Sequence, residues 1–389
     1  MTVRIVGPLI GVVIALAACG GSDDRSAEPS ATPAPTTTQS TTTTSSSAPS
    51  TVPTTAASQP VEATAPPPES FDVVVGDFAA GRAQTLQLGR SVVDQFLNDD
   101  LDDLYARVSD EFATFVSLDQ LRSGRTQLET QAPLGRVGAE RAVQLSPQNR
   151  FYAAEIGWGD GTLGLTSSFG ESSEINGLLL TPQPAQSEDP VAEYLSPVPF
   201  RLPFEGVWFT FWGGDTAIQN YHVAVPVQRH AFDFLIWKNG GTHAGDGTDV
   251  TDYWTYGQRV VAPAAGTVVT IVDGLPDQVP QTGSDTVNPA GNHVVIEVAP
   301  DEFIVIAHLQ AGSILVEEGD GVQSGQPIGL VGNSGTSTEP HIPIHLQDAP
   351  EFSLSASGLP LEFTNYWADG AEVVMGQPLA DEFVAHQGG

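Results

Sequence analysis

His341 and His345 lie in the run Gly329 to Gln347, GLVGNSGTSTEPHIPIHLQ, directly after a turn rich in glycine and serine. Alternate side chains of a strand share a face, so His341, Pro343 and His345 point the same way. Imidazoles grouped like this can bind a divalent metal or move protons. Buried histidines at a sheet edge often do neither, and this stretch alone does not separate the two readings. Three upstream segments enlarge the group: Asn220-Tyr221-His222, Arg229-His230-Ala231-Phe232-Asp233-Phe234, and Ile306-Ala307-His308-Leu309.

The elements that must position these residues are short. Val207 to Trp212, Phe232 to Trp237, Arg259 to Val261, Thr267 to Val272, His293 to Val298 and Phe303 to Ala307 are β-branched or aromatic runs, and glycine or proline punctuates almost every junction. No helix-length amphipathic segment occurs beyond residue 205, which predicts antiparallel packed sheets. Asn239 to Tyr256 and Asp273 to Ala290 are polar, glycine-containing and too long for tight turns, and loops of that size often border a groove. Gly332-Asn333-Ser334-Gly335 has neither the lysine nor the following helix of a phosphate-binding loop. Its glycines instead permit the bend that delivers His341.

In order and spacing, Asp233, His308, Gly319-Asp320-Gly321-Val322, Gly325-Gln326-Pro327-Ile328-Gly329 and the turn before His341 resemble the M23 zinc metallopeptidases of lysostaphin and LytM type, over roughly residues 205 to 350. The resemblance implies zinc as cofactor, peptides of the bacterial cell wall as substrate, Asp233 as a metal ligand, and His308 and His341 as catalytic residues. A hydrolytic zinc site needs about three protein ligands, an open position for water, and groups that move protons and steady the oxyanion. The sequence departs from the family twice. Arg229 stands where the first His ligand is usual, four residues before the Asp, and Pro343 stands where the second His of the final pair belongs. His222, eleven residues before Asp233 with Pro226 between, is the candidate replacement for the first. His345 is the candidate for the second, although it lies one strand repeat, roughly 6.6 Å, further along.

The remaining histidines have plainer readings. His230 is expected on the opposite side of the strand from Asp233, His243 in a solvated acidic loop, His293 in packing, and His386 in a tail outside the fold.

Composition bounds the partners. The net charge is −33 with only 14 Lys+Arg, so no basic cluster is available to neutralise phosphates or adhere to anionic lipid, and nucleic acid is excluded as a partner. Residues 1–19 read as a secretory signal, with Arg4, an apolar run from Ile5 to Ala15, and Leu16-Ala17-Ala18-Cys19 at the cleavage site. A cysteine at that place resembles a bacterial lipoprotein signal, which implies lipidation at Cys19 and a membrane-anchored protein facing the extracytoplasmic side. Cys19 is the chain's only cysteine, which removes disulfides and thiolate metal sites. Residues 20–71 are rich in Ser, Thr, Pro and Ala, cannot bury enough surface to fold, and read as a flexible tether of roughly 40 Å typical span.

Residues 72–184 are expected to form a small α+β domain. Val92, Val93, Phe96, Leu97, Leu101, Leu104, Tyr105 and Val108 recur at helical spacing, and Ser117 with Gln120 forms a capping-box pattern for a second helix. Arg141 to Leu145, Arg150 to Trp158, Gly161 to Phe169 and Glu174 to Thr181 follow as strands. The pattern resembles the DUF3887 type, similar to the cone-shaped nuclear-transport-factor-2 class with helices on a sheet. It holds no histidine, so it is expected to be a binding or spacer module. Residues 185–205 read as a connection and 206–380 as the mainly antiparallel β domain.

Two functions remain open from sequence. One is a lipid-anchored zinc endopeptidase cutting peptide cross-links of peptidoglycan. The other is a catalytically silent scaffold that binds wall peptides or activates another wall hydrolase, favoured by Pro343.

Overall fold

The computed structural model describes residues 71–183, 189–353 and 356–387. The signal segment with Cys19 and the Ser/Thr/Pro-rich stretch to residue 70 lie outside the described residues.

The fold is α+β, as the pattern of periods implied. Helix α1 (Phe71–Leu97) starts well before Val92, where the apolar stripe begins, and it stops before the stripe ends. Asp99, inside Asn98-Asp99-Asp100, takes φ 63°, a left-handed conformation that Asn and Asp tolerate better than most residues. The stripe is thereby divided, and α2 (Leu101–Tyr105) carries its remainder, with Val92, Val93, Phe96, Leu101 and Leu104 all buried. Helix α3 (Asp110–Phe115) is capped by Ser109. Helix α4 (Leu118–Gln131) has the expected capping box: Gln120 N–H donates to Ser117 Oγ at 3.3 Å and Ser117 N–H to Gln120 Oε1 at 2.8 Å.

Strands β1 (Leu134–Ser146), β2 (Asn149–Trp158), β3 (Gly161–Phe169) and β4 (Ile175–Gln183) form an antiparallel sheet in sequence order. Strict alternation buries Leu163, Leu165 and Phe169 of β3 against the helices.

The rest of the chain is β. In order come β5 (Val207–Trp212), β6 (Phe232–Leu235), β7 (Arg259–Val261), β8 (Gly266–Val272), β9 (Asn292–Ala299), β10 (Glu302–Leu309), β11 (Gly321–Val322), β12 (Pro327–Leu330), β13 (Ile342–Gln347), β14 (Gly358–Leu359), β15 (Phe363–Ala368), β16 (Ala371–Gly376) and β17 (Phe383–His386). They make a large antiparallel sheet in the order β11-β8-β9-β10-β13-β6-β5-β17-β15-β16, with β14 also on β13 and β7 paired to β12. His386 is therefore inside the fold, contrary to expectation, because β17 pairs with both β5 and β15.

The central strands β10 and β13 are buried along their whole length. Ile304, Ile306, Ile342, Ile344, Phe232 and Phe234 face the main core. Their neighbours in sequence, Val305, Pro343, His345 and Asp233, therefore take the other face. Registers set that face: Pro343 lies opposite Asp233, and His345 opposite Val305.

The described residues belong to one compact unit. A third apolar cluster joins Val74 and Phe78 of α1 and Val143 and Leu145 of β1 to Phe209, Trp237 and Phe383. Among the described residues, no helix is long and apolar enough to cross a membrane.

Candidate active site

Four separate segments bring His222, Asp233, His308 and His341 together. Asp233, on β6, is 5% exposed. One carboxylate oxygen, Oδ2, lies 3.8 Å from His222 Nε2 and 3.7 Å from His341 Nε2. The other, Oδ1, is buried without a hydrogen-bond partner. The His308 ring lies edge-on to the His341 ring, with centroids 5.0 Å apart.

His222 reaches Asp233 by local turn chemistry. Asn220 caps a single 3-10 turn, Tyr221–Ala224, and a second turn begins at Pro226. The Asn220 amide is saturated. Its Nδ2 donates to the carbonyls of Gly214 and Ala231 (3.2 and 3.0 Å), so its Oδ1 must accept, from His222 N–H at 3.2 Å and from the ring Nδ1–H at 2.8 Å. His222 therefore presents Nε2 as a lone pair. Burial lowers its pKa although Asp233 pulls the other way, so the 3.8 Å approach is not an ion pair at neutral pH.

His341 is fixed in the same sense. Its Nδ1–H donates to the Glu339 carbonyl at 2.7 Å, again leaving Nε2 as the acceptor beside Asp233. The turn before it depends on close backbone approaches. A Cβ on Gly332 would lie 2.5 Å from Gln310 N, and Gly335 takes φ +84° with a Cβ position 2.5 Å from Gly291 N. Only glycine fits both places.

His308 depends on an irregularity. The β9–β10 register shifts between Ile306 and Leu309, and His308 takes φ 54°. Its N–H donates to the Ala290 carbonyl at 3.1 Å and its carbonyl accepts from Gly332 N–H at 3.0 Å. A bulge of this kind re-aims a side chain that regular pairing would hold elsewhere. Burial, then the neighbouring His341, holds His308 well below the ordinary histidine range. Its Nδ1 is buried without a partner.

His345 is not brought to Asp233. Its Nε2–H donates to Gln347 Oε1 at 2.9 Å, and Gln347 is itself pinned because its Nε2 donates to the carbonyls of Ala349 and Glu351. Its ring packs on Phe352, and burial lowers its pKa to about 4. Arg229 approaches Asp189 at 4.0 Å, and His230 Nε2 lies 2.9 Å from Asp189, away from the cluster. His293 is buried with Nδ1 on the Gly291 carbonyl, and His243 stays in its acidic loop against Tyr253.

Three acceptors, His222 Nε2, Asp233 Oδ2 and His341 Nε2, thus face one another with no donor between them. The separations are too long for hydrogen bonds, and lone pairs facing a carboxylate repel unless a cation lies among them. A zinc ion with bonds of about 2.0–2.1 Å would set tetrahedral ligands about 3.4 Å apart. As the side chains stand, no set of three or more His, Cys, Asp or Glu among the described residues closes to metal-holding geometry. The two imidazole–carboxylate separations exceed that ligand spacing by about 0.3 to 0.4 Å. The donor types suit a divalent ion in chemistry.

Sequence reading picked out each of these four residues but not their supports. Asn220 stood in a quoted motif without a role, and Glu339 gave no signal because its side chain and carbonyl act only through folded neighbours.

Residues 245–351 match Peptidase family M23. That segment holds His308, His341 and His345 but neither His222 nor Asp233, whose place in the cluster rests on the geometry above. No curated protein matches the chain. Among solved structures, the chain is similar to a zinc-containing peptidase from Vibrio cholerae at 16% identity, covering 54% of this chain and 53% of that one with a TM-score of 0.26. It is similar to the catalytic domain of the antimicrobial peptidase lysostaphin from Staphylococcus simulans at 19% identity, covering 39% and 86% with a TM-score of 0.24. A putative peptidase M23 from Pseudomonas aeruginosa shares 16% identity over 57% and 70%, with a TM-score of 0.25. The chain thus spans about half the length of the Vibrio cholerae peptidase.

Proposed function

We propose that this chain is a cell-envelope zinc metalloendopeptidase that hydrolyses peptide cross-links of peptidoglycan. The match of residues 245–351 to Peptidase family M23 supports a peptidase role. The observation that carries the reading is the convergence of His222, Asp233 and His341 on one carboxylate oxygen, with His308 beside them.

His222 and Asp233 would hold the ion, and His341 is the third donor in reach. His341 thus takes the ligand place expected of His345, because Gln347 holds His345 and of the two only His341 approaches Asp233. When bound, zinc would lower the pKa of water towards 7 and polarise the peptide carbonyl. His308 is neutral at pH 7, has a free Nδ1, and sits where it can accept a proton and return it to the leaving amine. Asn220 and the Glu339 carbonyl keep both flanking imidazoles in one tautomer.

In this reading lipidation at Cys19 anchors the protein to the membrane, facing the extracytoplasmic side, and the Ser/Thr/Pro-rich stretch lets the folded part reach the wall. The DUF3887-like part is a module carried with it.

Pro343 favours a second reading. It sits directly opposite Asp233, in the place where a histidine ligand is expected, and its amide nitrogen cannot coordinate a metal. A silent scaffold of this kind would bind wall peptides or activate another wall hydrolase.

The test is zinc content and release of peptides from purified cell walls by the full-length protein. The enzyme reading expects bound zinc, measurable release, and a drop of about 10²-fold or more in His308→Ala with zinc retained. Wall binding without release by the wild type would establish the scaffold.

A further inference from the structure

Both imidazoles beside Asp233 are tied, through separate sets of contacts, to the sheet formed by β1 and β2. The first route starts at the end of β1. Thr242 N–H donates to the Leu145 carbonyl at 2.8 Å. Gln144 Nε2 donates to the Gly240 carbonyl at 2.9 Å. At Gly241 a Cβ would lie 2.4 Å from the Leu145 oxygen, so the loop is pressed onto β1 as closely as backbone allows. Thr242, 1% exposed, then donates its hydroxyl to Glu339 Oε2 at 2.7 Å. Glu339 is buried too, and its own carbonyl accepts His341 Nδ1–H.

The second route ends at His222. Arg141 of β1 is buried, donates to Asp381 Oδ1 at 2.9 Å and to the Phe211 carbonyl, and lies 4.4 Å over the Trp212 ring. Phe151 of β2 meets Trp212 edge-on with centroids 6.4 Å apart. Trp212 in turn meets Tyr221 edge-on at 5.2 Å, and the Tyr221 ring lies 4.0 Å from that of His222.

We infer that the N-terminal α+β part positions the site, setting His341 through Thr242 and Glu339 and His222 through Trp212 and Tyr221. Thr242 and Trp212 are positioning residues; Thr242 acts through Glu339, and Trp212, which stands across from Asp233 in the β5–β6 register, acts through Tyr221. Without the Thr242 hydroxyl, the buried Glu339 side chain loses its hydrogen-bond partner and must turn, which moves the carbonyl that fixes the His341 ring. The inference rests on reading His222 and His341 as members of a metal site, but its first readout needs no metal.

That readout is the ring nitrogen NMR spectrum of the metal-free full-length protein. In the wild type His341 is expected as a single Nδ1–H tautomer. Thr242→Val should give a mixture of tautomers, and Thr242→Ser should restore the single form. Phe151→Leu, which removes the ring facing Trp212, should shift the His222 ring signals while leaving those of His341 in place. In a zinc titration Thr242→Val should bind about 10-fold more weakly than wild type, with Thr242→Ser close to wild type. An unchanged His341 tautomer in Thr242→Val, or unchanged His222 signals in Phe151→Leu, overturns the inference. If the wild type takes up no zinc while His341 still answers to Thr242, the positioning role stands and the metal reading falls.

Discussion

The chemistry at Asp233 is decided by where the hydrogens sit on two imidazoles. Each ring is held at Nδ1 by a fixed acceptor, Asn220 Oδ1 for His222 and the Glu339 carbonyl for His341, so each offers Nε2 to the carboxylate. Asn220 matters most of these supports, because all of its amide groups are engaged and it sits 1% exposed. Replacing it with alanine frees the His222 ring to rotate and leaves the Gly214 and Ala231 carbonyls without their donor. Asn220→Ala is expected to weaken zinc binding by about 10- to 100-fold, read by competition with a chromophoric chelator. The residues that do chemistry were legible because imidazole and carboxylate announce themselves by type and spacing. Thr242 and Glu339 were not, since their hydrogen bond joins positions 97 apart and no periodicity reports such a contact.

At the scale of elements, most strands could be read from β-branched runs between glycines, and the capping box at Ser117 marked α4. The departures have local causes. Asp99 in a left-handed conformation ends α1 where the apolar stripe continued, and the bulge at His308 breaks the regularity from which facing was read. β13 shows the limit of spacing arguments: His341 and His345 share a face, yet only the former reaches Asp233, because the strand carries the latter under Phe352 and Gln347. That burial has a consequence for stability. The His345 pKa falls from about 6.5 to about 4, so the fold prefers the neutral ring. The unfolded chain takes up the proton first, so this contribution is full above about pH 6.5, fades as pH falls, and is gone by about pH 4. The difference is worth about 3 kcal/mol. Urea unfolding of the metal-free protein should therefore lose stability between these limits, and His345→Gln should show a shallower loss. A slope identical to wild type in that variant would show that His345 is not buried as described. His222, His230, His293, His308 and His386, lowered in the same direction by burial, add to the slope that remains.

Across the whole molecule, a four-stranded sheet with its helices packs against a large antiparallel sheet, and the join is aromatic. Phe78 of α1 lies among Phe209, Trp237 and Phe383 with centroids 4.9 to 5.4 Å away. Composition shifts along the sequence did not show this packing, because the apolar face of α1 before residue 92 serves the neighbouring sheet as well as its own. The assembled unit gathers a carboxylate from β6, one imidazole from a turn, one from the bulge in β10 and one from the residue just before β13. The account stands on that gathering being a metal site. The direct measurement is zinc bound per chain after exhaustive dialysis of the full-length protein and of Asp233→Ala, a substitution that removes the shared carboxylate. The wild type is expected to keep about one zinc per chain, as three protein ligands allow, and Asp233→Ala close to none. A wild type without zinc, or a variant that holds as much as the wild type, contradicts it.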